Sequence, residues 1–224
     1  MQASMMNTPL MISSILKHAE KNFPDVEMVS VTVDNPRHRQ NNKTFAKRSR
    51  QLANVLASLG AKFGDRIGTL AWNDFRHMEL YYAVSGSGMV CHTINPRLFP
   101  EQVAYIINHA EDKILFVDAL VMPLIEALKE HLSKVETVVV LTDKAHMPES
   151  SFPNVLCYEE LLDAQSDNYD WPEFDENTAS GMCYTSGTTG NPKGVVYSHR
   201  SPLLHALAGS LPDVTGASNM QCSL

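Results

Sequence analysis

The stretch TSGTTGNPKG, from Thr185 to Gly194, carries more information about this chain than any other segment. It joins an apolar segment, Gly181–Tyr184, to the β-branched segment Val195–Tyr197, which predicts a loop between two strands. Glycines let a backbone approach a ligand closely with its N–H groups turned inward. Several hydroxyls and the Lys193 ammonium add further donors, and hydrogen bonds to charged groups are worth roughly 1.5–3 kcal/mol each. The composition therefore predicts a loop that holds a polyphosphate.

This loop differs from the common phosphate loop of nucleotide-binding proteins. That motif, G-x-x-x-x-G-K-[ST], has a glycine directly before the lysine and a helix directly after it. Here Pro192 precedes Lys193, Gly194 follows it, and the next residues have strand character. An ordinary hairpin connection of Gly, Thr, Asn and Pro is the alternative interpretation. The many hydroxyls beside a lysine favour the ligand-binding loop.

The composition is that of one large globular domain. The chain has 224 residues, 44% of them apolar, and a formal net charge of −7 with both signs interspersed. A nucleic-acid-binding surface would need a stripe of basic residues, and the sequence shows none. No apolar run approaches the roughly twenty residues that a membrane span needs. The four cysteines are far apart and form no C-x-x-C pair, so they predict neither a zinc site nor a disulfide framework. A reducing, cytoplasmic setting is expected, without nucleic-acid partners or integral membrane segments.

Helical and strand patterns alternate along the chain, which predicts an α/β fold with a mostly parallel sheet flanked by helices. One amphipathic helix is expected to begin with Thr44 as its N-cap and to stop at Gly60. Further helices are expected at 10–21, 75–84, 101–108, 120–132 and 158–164. Strands are expected at 26–33, 66–72, 90–94, 113–117 and 137–141, and on both sides of the loop.

Several conspicuous side chains are assigned structural roles. His77 and Glu79 lie two positions apart on a helix and so point to different sides, which makes a poor metal pair. His92, at the end of a strand, is interpreted as a packing or hydrogen-bonding residue. His199 is expected to open the last helix, in a capping or packing role rather than in contact with a substrate. Three basic residues on the helix that begins near Thr44 are expected to face solvent: Lys47, Arg48 and Arg50.

Two stretches resemble a known superfamily. Tyr184–Gly194, continued by Val195–Arg200, resembles the signature loop of the adenylate-forming enzymes, which include acyl-CoA synthetases, luciferases and peptide-synthetase adenylation domains. Asn73–Ala83 together with Gly88–Leu98 resembles the fatty-acyl and medium-chain acyl-CoA ligase branch, including methylmercaptopropionyl-CoA ligases. The likeness runs from about residue 9 to about residue 211. It implies the N-terminal part of the large domain of an adenylate-forming enzyme.

The resemblance implies AMP-forming ligase chemistry. Such enzymes join a carboxylate to ATP, release pyrophosphate, and then pass the acyl group from AMP to the thiol of coenzyme A. The implied partners are a fatty or other carboxylic acid, ATP and CoA, with Mg²⁺ bridging the phosphates. The resemblance implies Thr188 as a metal contact. The implied phosphate-binding residues are Thr185, Ser186, Gly187, Thr188, Thr189, Gly190 and Lys193.

The resemblance also implies that residues 1–224 form an incomplete N-terminal domain with its phosphate loop at 184–194. In the superfamily, the adenine-binding segments, most of the acyl pocket, the lysine that acts in adenylation and the C-terminal lid domain lie further along the sequence. This chain is therefore expected to contribute no catalytic residue, to be inactive alone, and to self-associate through uncovered apolar surface. Two alternatives stay open: a non-catalytic chain with residual polyphosphate binding, and an adenylating enzyme with a different acceptor.

Overall fold

The structure, a computed structural model, describes residues 4–185 and 191–214. Within these residues the helices are α1 (Ile12–Asn22), α2 (Asn42–Ser58), α3 (Phe75–Gly86), α4 (Pro100–Ala110), α5 (Met122–Leu128), α6 (Tyr158–Asp163) and α7 (Arg200–Gly209). The strands are β1 (Glu27–Ser30), β2 (His38–Asn41), β3 (Arg66–Leu70), β4 (Val90–Thr93), β5 (Ile114–Asp118), β6 (Thr137–Leu141), β7 (Val155–Cys157), β8 (Ala179–Thr185) and β9 (Lys193–Ser198). The alternation of helices and strands predicted from the sequence is confirmed.

Seven strands form one sheet in the order β7-β6-β5-β3-β4-β8-β9. Every neighbouring pair is parallel except β8 and β9, which form an antiparallel hairpin at one edge. The first two strands form a separate antiparallel pair, β1 with β2. The expected mostly parallel sheet is therefore present, and the glycine-rich stretch joins its last two strands.

Helices cover both faces of the large sheet. The chain passes from β3 to β4 in one direction and then returns across β3 to reach β5, so right-handed crossovers place α3 and α4 on opposite faces. Two apolar clusters reflect this arrangement. One joins buried side chains of α1, α2, α3 and α6 to the sheet, and the other joins those of α4 and α5. The result is a three-layer α/β/α domain.

Three details of the sequence-based assignment are corrected by the structure. Asn41, not Thr44, caps α2: the Asn41 side chain accepts a hydrogen bond from the Thr44 N–H at 2.9 Å. The strand expected at 26–33 is shorter, because the chain turns back at residue 31 to pair with β2. Strands β2 and β7 were not predicted, because their sequences, HRQN and VLC, are too polar or too short to give a strand pattern.

The basic side of α2 is only partly solvated: Lys47 is exposed, as predicted, but the two arginines are engaged in ion pairs. Arg48 donates to Glu79 at 2.7 Å and to Glu159 at 2.9 Å, and its side chain is only 17% exposed. Arg50 is paired with Glu20 at 2.8 Å. The expectation that both arginines face solvent is therefore wrong. The reason is tertiary: α2 packs between elements that carry carboxylates, which a helical repeat alone does not show.

The edge of the sheet at β9 carries exposed apolar side chains. Val195, Val196 and Tyr197 are all exposed, as are Leu204 and Leu207 on α7. Because β9 pairs only with β8, its other side is an open edge within the described residues. Separately, none of the helices in the described part of the chain is long and apolar enough to cross a membrane.

Candidate functional site

The hairpin of β8 and β9 sets the ends of the predicted phosphate loop. Thr185, the last residue of β8, lies directly opposite Lys193, the first residue of β9. Directly opposed residues of an antiparallel pair place their side chains on the same face of the sheet. The hydroxyl and the ammonium therefore stand side by side at the base of the loop, and both residues are exposed.

The other predicted phosphate-binding residues lie outside the described part of the chain. They are Ser186, Gly187, Thr188, Thr189 and Gly190. Only Thr185 and Lys193 can therefore be placed, and the pairing of these two residues agrees with the predicted strand–loop–strand arrangement. The assignment of the whole set, and of Thr188 as a metal contact, stays a prediction.

The loop leaves the sheet at the edge where ligands of parallel α/β folds commonly bind. Strand β8 runs parallel to β4, and β4 runs parallel to β3, so all three strands end at the same edge. Ligands of open α/β sheets bind outside the carboxyl ends of the strands. The hairpin therefore places its loop at the expected edge.

A cavity of about 380 Å³ opens at this edge, beside the start of the loop. It is built from the residues that follow β3 and β4, from one side of α3, and from the end of β8. Its lining residues are Ala71, Trp72, Asn73, His77, Tyr81, Thr93, Ile94, Asn95, Pro96, Arg97, Cys183 and Tyr184. None of these is a carboxylate, and Arg97 is the one Lys or Arg among them. The cavity is thus suited to a neutral or anionic group.

The cavity wall is held by hydrogen bonds and ring contacts. His77 Nε2 lies 3.1 Å from Thr69 Oγ1, and His77 Nδ1 lies 3.1 Å from the carbonyl of Trp72. Burial lowers the pKa of His77, which keeps the ring neutral near pH 7. The Arg97 guanidinium lies 5.3 Å from the centre of the Trp72 ring. These contacts hold the wall of the cavity formed by Trp72 and His77, and they place the Arg97 guanidinium over the Trp72 ring.

Tyr184 fixes the other side of the hairpin. Its hydroxyl is hydrogen-bonded to His109 Nδ1 of α4 at 2.6 Å, and its ring lies 5.3 Å from the ring of His92. Across the hairpin, Gly194 faces the same ring, and a Cβ atom there would lie only 3.2 Å from it. The glycine that follows Lys193 therefore leaves room for the aromatic residue that precedes the loop.

His92 has the hydrogen-bonding role expected of it. It is fully buried, and its Nδ1 is hydrogen-bonded to the equally buried Asp112 at 2.7 Å. Burial raises the pKa of Asp112, while His92 lowers it again. Gly68 provides the space for this carboxylate, since a Cβ atom at Gly68 would lie 3.0 Å from Asp112 Oδ2. The interpretation of His92 as a packing or hydrogen-bonding residue is confirmed.

His199 is also structural. It immediately precedes α7, is fully buried, and accepts a hydrogen bond from the N–H of Ile12, the first residue of α1, at 3.3 Å. Burial lowers the pKa of His199 to about 4, so the ring is neutral and free to accept. The prediction that it opens a helix in a capping or packing role is confirmed.

The described residues offer little to a metal ion. His77 contacts Thr69, whereas Glu79 faces Arg48, so the two do not share a site, as predicted. One group of three side chains in the described ranges brings its ligand atoms within 4.8 Å of one another: Asp34, Asp143 and His146. Asp34 is already paired with a guanidinium of α3 at 2.6 Å, which neutralises its charge. This cluster is therefore held by internal ion pairing.

Sequence reasoning missed the cavity residues Tyr81, Arg97 and Cys183. They belong to three segments that are far apart along the chain and meet only because β3, β4 and β8 are neighbours in the sheet. The available signal was positional, since each lies on or beside a segment that follows or ends a predicted parallel strand. These positions could be recognised as neighbours only once the order of the strands in the sheet was known, and the sequence did not supply that order.

The chain matches known proteins along most of its length. A family model described as AMP-binding enzyme matches residues 16–220. The 3-methylmercaptopropionyl-CoA ligase of Ruegeria lacuscaerulensis is 49% identical over 220 residues, which are 98% of this chain and 41% of that protein. The medium-chain-fatty-acid–CoA ligase of Ectopseudomonas oleovorans is 46% identical over 218 residues, 97% of this chain and 40% of that protein. The chain thus spans about two fifths of the length of these relatives.

A solved structure shows the same fold. A long-chain-fatty-acid-CoA ligase from Archaeoglobus fulgidus superposes with a TM-score of 0.80 at 19% identity, over 96% of this chain and 41% of that one. At this identity the likeness shows the fold alone. It supports the sheet order and the helix placement described above.

Proposed function

The chain belongs to the AMP-binding enzyme family, and we propose that it forms the phosphate-binding part of an AMP-forming acyl-CoA ligase. The substrates are a fatty or other carboxylic acid, ATP and CoA, in keeping with the names of the two ligases to which it is similar. The observation that carries this proposal is the hairpin that sets Thr185 beside Lys193 at the carboxyl edge of the sheet, next to a cavity without carboxylates.

The proposed reaction requires positive charge and hydrogen-bond donors around the phosphates of ATP. In the first half-reaction a carboxylate oxygen attacks the α-phosphorus of ATP, and the bond to pyrophosphate breaks. Negative charge moves onto the departing pyrophosphate, where fixed donors stabilise it. In the second half-reaction the CoA thiol attacks the acyl carbon and AMP leaves. We assign the first task to the loop residues Thr185, Ser186, Gly187, Thr188, Thr189, Gly190 and Lys193.

Magnesium fits this proposal as a companion of the nucleotide. Mg²⁺ in such sites is held through substrate phosphates, with one or two protein oxygens and several waters. The cavity lining contains no carboxylate, so the described residues at this edge favour the phosphate rather than a bare ion. Thr188 is the proposed protein contact, and the ion would neutralise phosphate charge that Lys193 does not reach.

The cellular and domain assignments follow from the same family. We place the protein in the cytoplasm, where ATP and CoA are available and where its separated cysteines would stay reduced. Residues 1–224 are assigned to the N-terminal domain of an AMP-dependent ligase, of which they form a part, because the family match runs through both apolar clusters and the hairpin.

Replacing Lys193 with Ala is expected to weaken the binding of magnesium ATP by about tenfold or more, because one charge-assisted hydrogen bond to phosphate is lost. Isothermal titration calorimetry on the 224-residue chain measures this directly. Lys47→Ala, at an exposed position on α2, is the matched control and should leave the affinity unchanged. Equal binding by all three proteins would rule out Lys193 as a phosphate ligand. Binding without acid-dependent pyrophosphate release would favour the non-catalytic alternative.

Self-association through the β9 and α7 surface is a second expectation. An exposed apolar edge strand invites pairing with another chain. Sedimentation velocity should therefore show a weight-average mass that rises with concentration. Val196→Lys combined with Leu207→Lys should abolish that rise, because both side chains lie on this surface. Leu120→Lys, at an exposed position elsewhere, is the control, and an equal loss of association there would contradict the assignment.

A further inference from the structure

Tyr184 stands at the point where the sheet ends and the loop begins. It is the residue before Thr185, and side chains alternate between the faces of a strand. Thr185 and Lys193 therefore point to one face, while Tyr184 points to the other, toward α4. The hydroxyl of Tyr184 is engaged there by His109. A side chain so placed can support the base of the loop from the face opposite Thr185 and Lys193, and it also lines the cavity.

His109, an exposed residue near the end of α4, makes two ring contacts besides its hydrogen bond. Its ring stacks on that of Tyr105, one turn earlier on α4, with ring centres 5.3 Å apart. It meets the Tyr184 ring edge-on, with ring centres 5.8 Å apart. The hydrogen bond between the Tyr184 hydroxyl and His109 Nδ1 is 2.6 Å long. The ring of Tyr184 is thus joined to α4 through the side chain of His109.

The ring of Tyr184 is also supported from within the sheet. His92 lies 5.3 Å from it and is held by the buried Asp112. Gly194 of β9 leaves the space that the ring fills, at a distance where any Cβ atom would crowd it. The ring of Tyr184 on β8 therefore packs between His92 of β4 and Gly194 of β9.

We propose that Tyr184 is a positioning residue whose bond to His109 holds the base of the phosphate loop, and with it the spacing of Thr185 and Lys193, in a binding geometry. The proposal rests on the proposed function, because it specifies how the same loop is held. Neither Tyr184 nor His109 is expected to contact the phosphates. Their effect reaches the ligand only through the strand pair.

Four variants separate positioning from simple packing. Tyr184→Phe and His109→Ala each remove the hydrogen bond, while His109→Gln keeps an acceptor for the hydroxyl. The first two should weaken the binding of magnesium ATP by about three- to tenfold, as expected for one hydrogen bond. The double variant Tyr184→Phe/His109→Ala should be no weaker than either single one, and His109→Gln should bind nearly as the unmodified chain does.

Two results would overturn the proposal. One is an unchanged affinity of Tyr184→Phe for magnesium ATP, measured well below the temperature at which the variant unfolds. This result would count even if the variant has a lower unfolding temperature. The other is additive loss in the double variant, which would show that the two side chains act separately.

Amide hydrogen exchange keeps this test independent of the proposed function. Exchange at residues 181–185 and 193–197 should be faster in Tyr184→Phe than in the unmodified chain, with β5 and β6 unchanged. If neither the unmodified chain nor Lys193→Ala binds magnesium ATP, the 224-residue chain does not bind the nucleotide by itself, and exchange then decides alone whether the bond holds the hairpin. Equal exchange in the two proteins would overturn the positioning role.

Discussion

Replacing Arg48 with Met lowers the free energy of unfolding by about 3–5 kcal/mol, the cost expected when a buried charge loses its partner. Glu79 is fully buried, and Arg48 is its only ion-pair partner among the described residues. The Tyr158 hydroxyl, which donates to Glu79 at 2.7 Å, remains but carries no charge. Urea unfolding followed by circular dichroism measures the loss.

A surface ion pair provides the matched control for Arg48. Arg39 is paired with Glu27 across the β1–β2 hairpin, and both side chains are at least half exposed. Exposed pairs contribute roughly 0–1 kcal/mol. Arg39→Met should therefore change stability only slightly. A loss in Arg48→Met no larger than that of Arg39→Met would contradict the role assigned to the buried pair.

The loss in free energy of unfolding caused by Arg48→Met should be smaller at acid pH. Burial raises the pKa of Glu79, and Arg48 and Tyr158 lower it again. Without Arg48, the pKa of Glu79 in the folded protein rises further above its unfolded value. A carboxyl with a raised folded pKa contributes stability that is fully present below the unfolded pKa and is lost as pH rises through the folded one. The difference in free energy of unfolding between Arg48→Met and the unmodified chain should thus be smaller at pH 5 than at pH 8.

Gly68→Ala is expected to lower the free energy of unfolding by about 1–3 kcal/mol, because the added methyl overfills a tightly packed site. A Cβ atom at Gly68 would lie 2.7 Å from Leu115 Cδ1 and 3.0 Å from the Asp112 carboxylate. Relief requires Leu115 to shift and Asp112 to give way slightly, which disturbs the hydrogen bond of Asp112 to His92. Thermal and urea unfolding measure the cost.

Gly181→Ala tests whether the penalty at Gly68 is specific. Gly181 lies on β8 of the same sheet, where a Cβ atom would meet only the Cys91 carbonyl, at an ordinary 3.6 Å. Gly181→Ala should lower the free energy of unfolding much less than Gly68→Ala does. Similar costs at both positions would mean that the space for Asp112 is not the cause.

The sequence predicted the layers and most elements of this fold because they depend on local patterns. The buried strands β3, β5 and β6 are short apolar runs, and the helices between them have clear apolar faces. A loop between two strands was predicted because the stretch TSGTTGNPKG is rich in Gly, Thr, Asn and Pro. What local patterns could not give was the environment of Arg48, since the carboxylates of Glu79 and Glu159 approach it from other elements.

The candidate site was predicted in part for the same reason. Its loop is one continuous segment, so its composition could be interpreted directly. The cavity beside the loop is assembled from segments near Trp72, Arg97 and Cys183, whose proximity depends on strand order. The bond between Tyr184 and His109 also joins distant segments, and neither residue type predicts it alone.

The order of strands in the sheet has a consequence for how the protein folds. Strands β3 to β7 follow one another along the chain and pair among themselves, so they can form early as one unit. Strand β8 pairs in parallel only with β4, across a long intervening segment, and such distant pairings close slowly. Until β8 arrives, the apolar strand β4 is an unprotected edge, open to aggregation during synthesis. We therefore expect the hairpin that carries the proposed phosphate loop to form last, and the pairing of β8 with β4 to cover that edge.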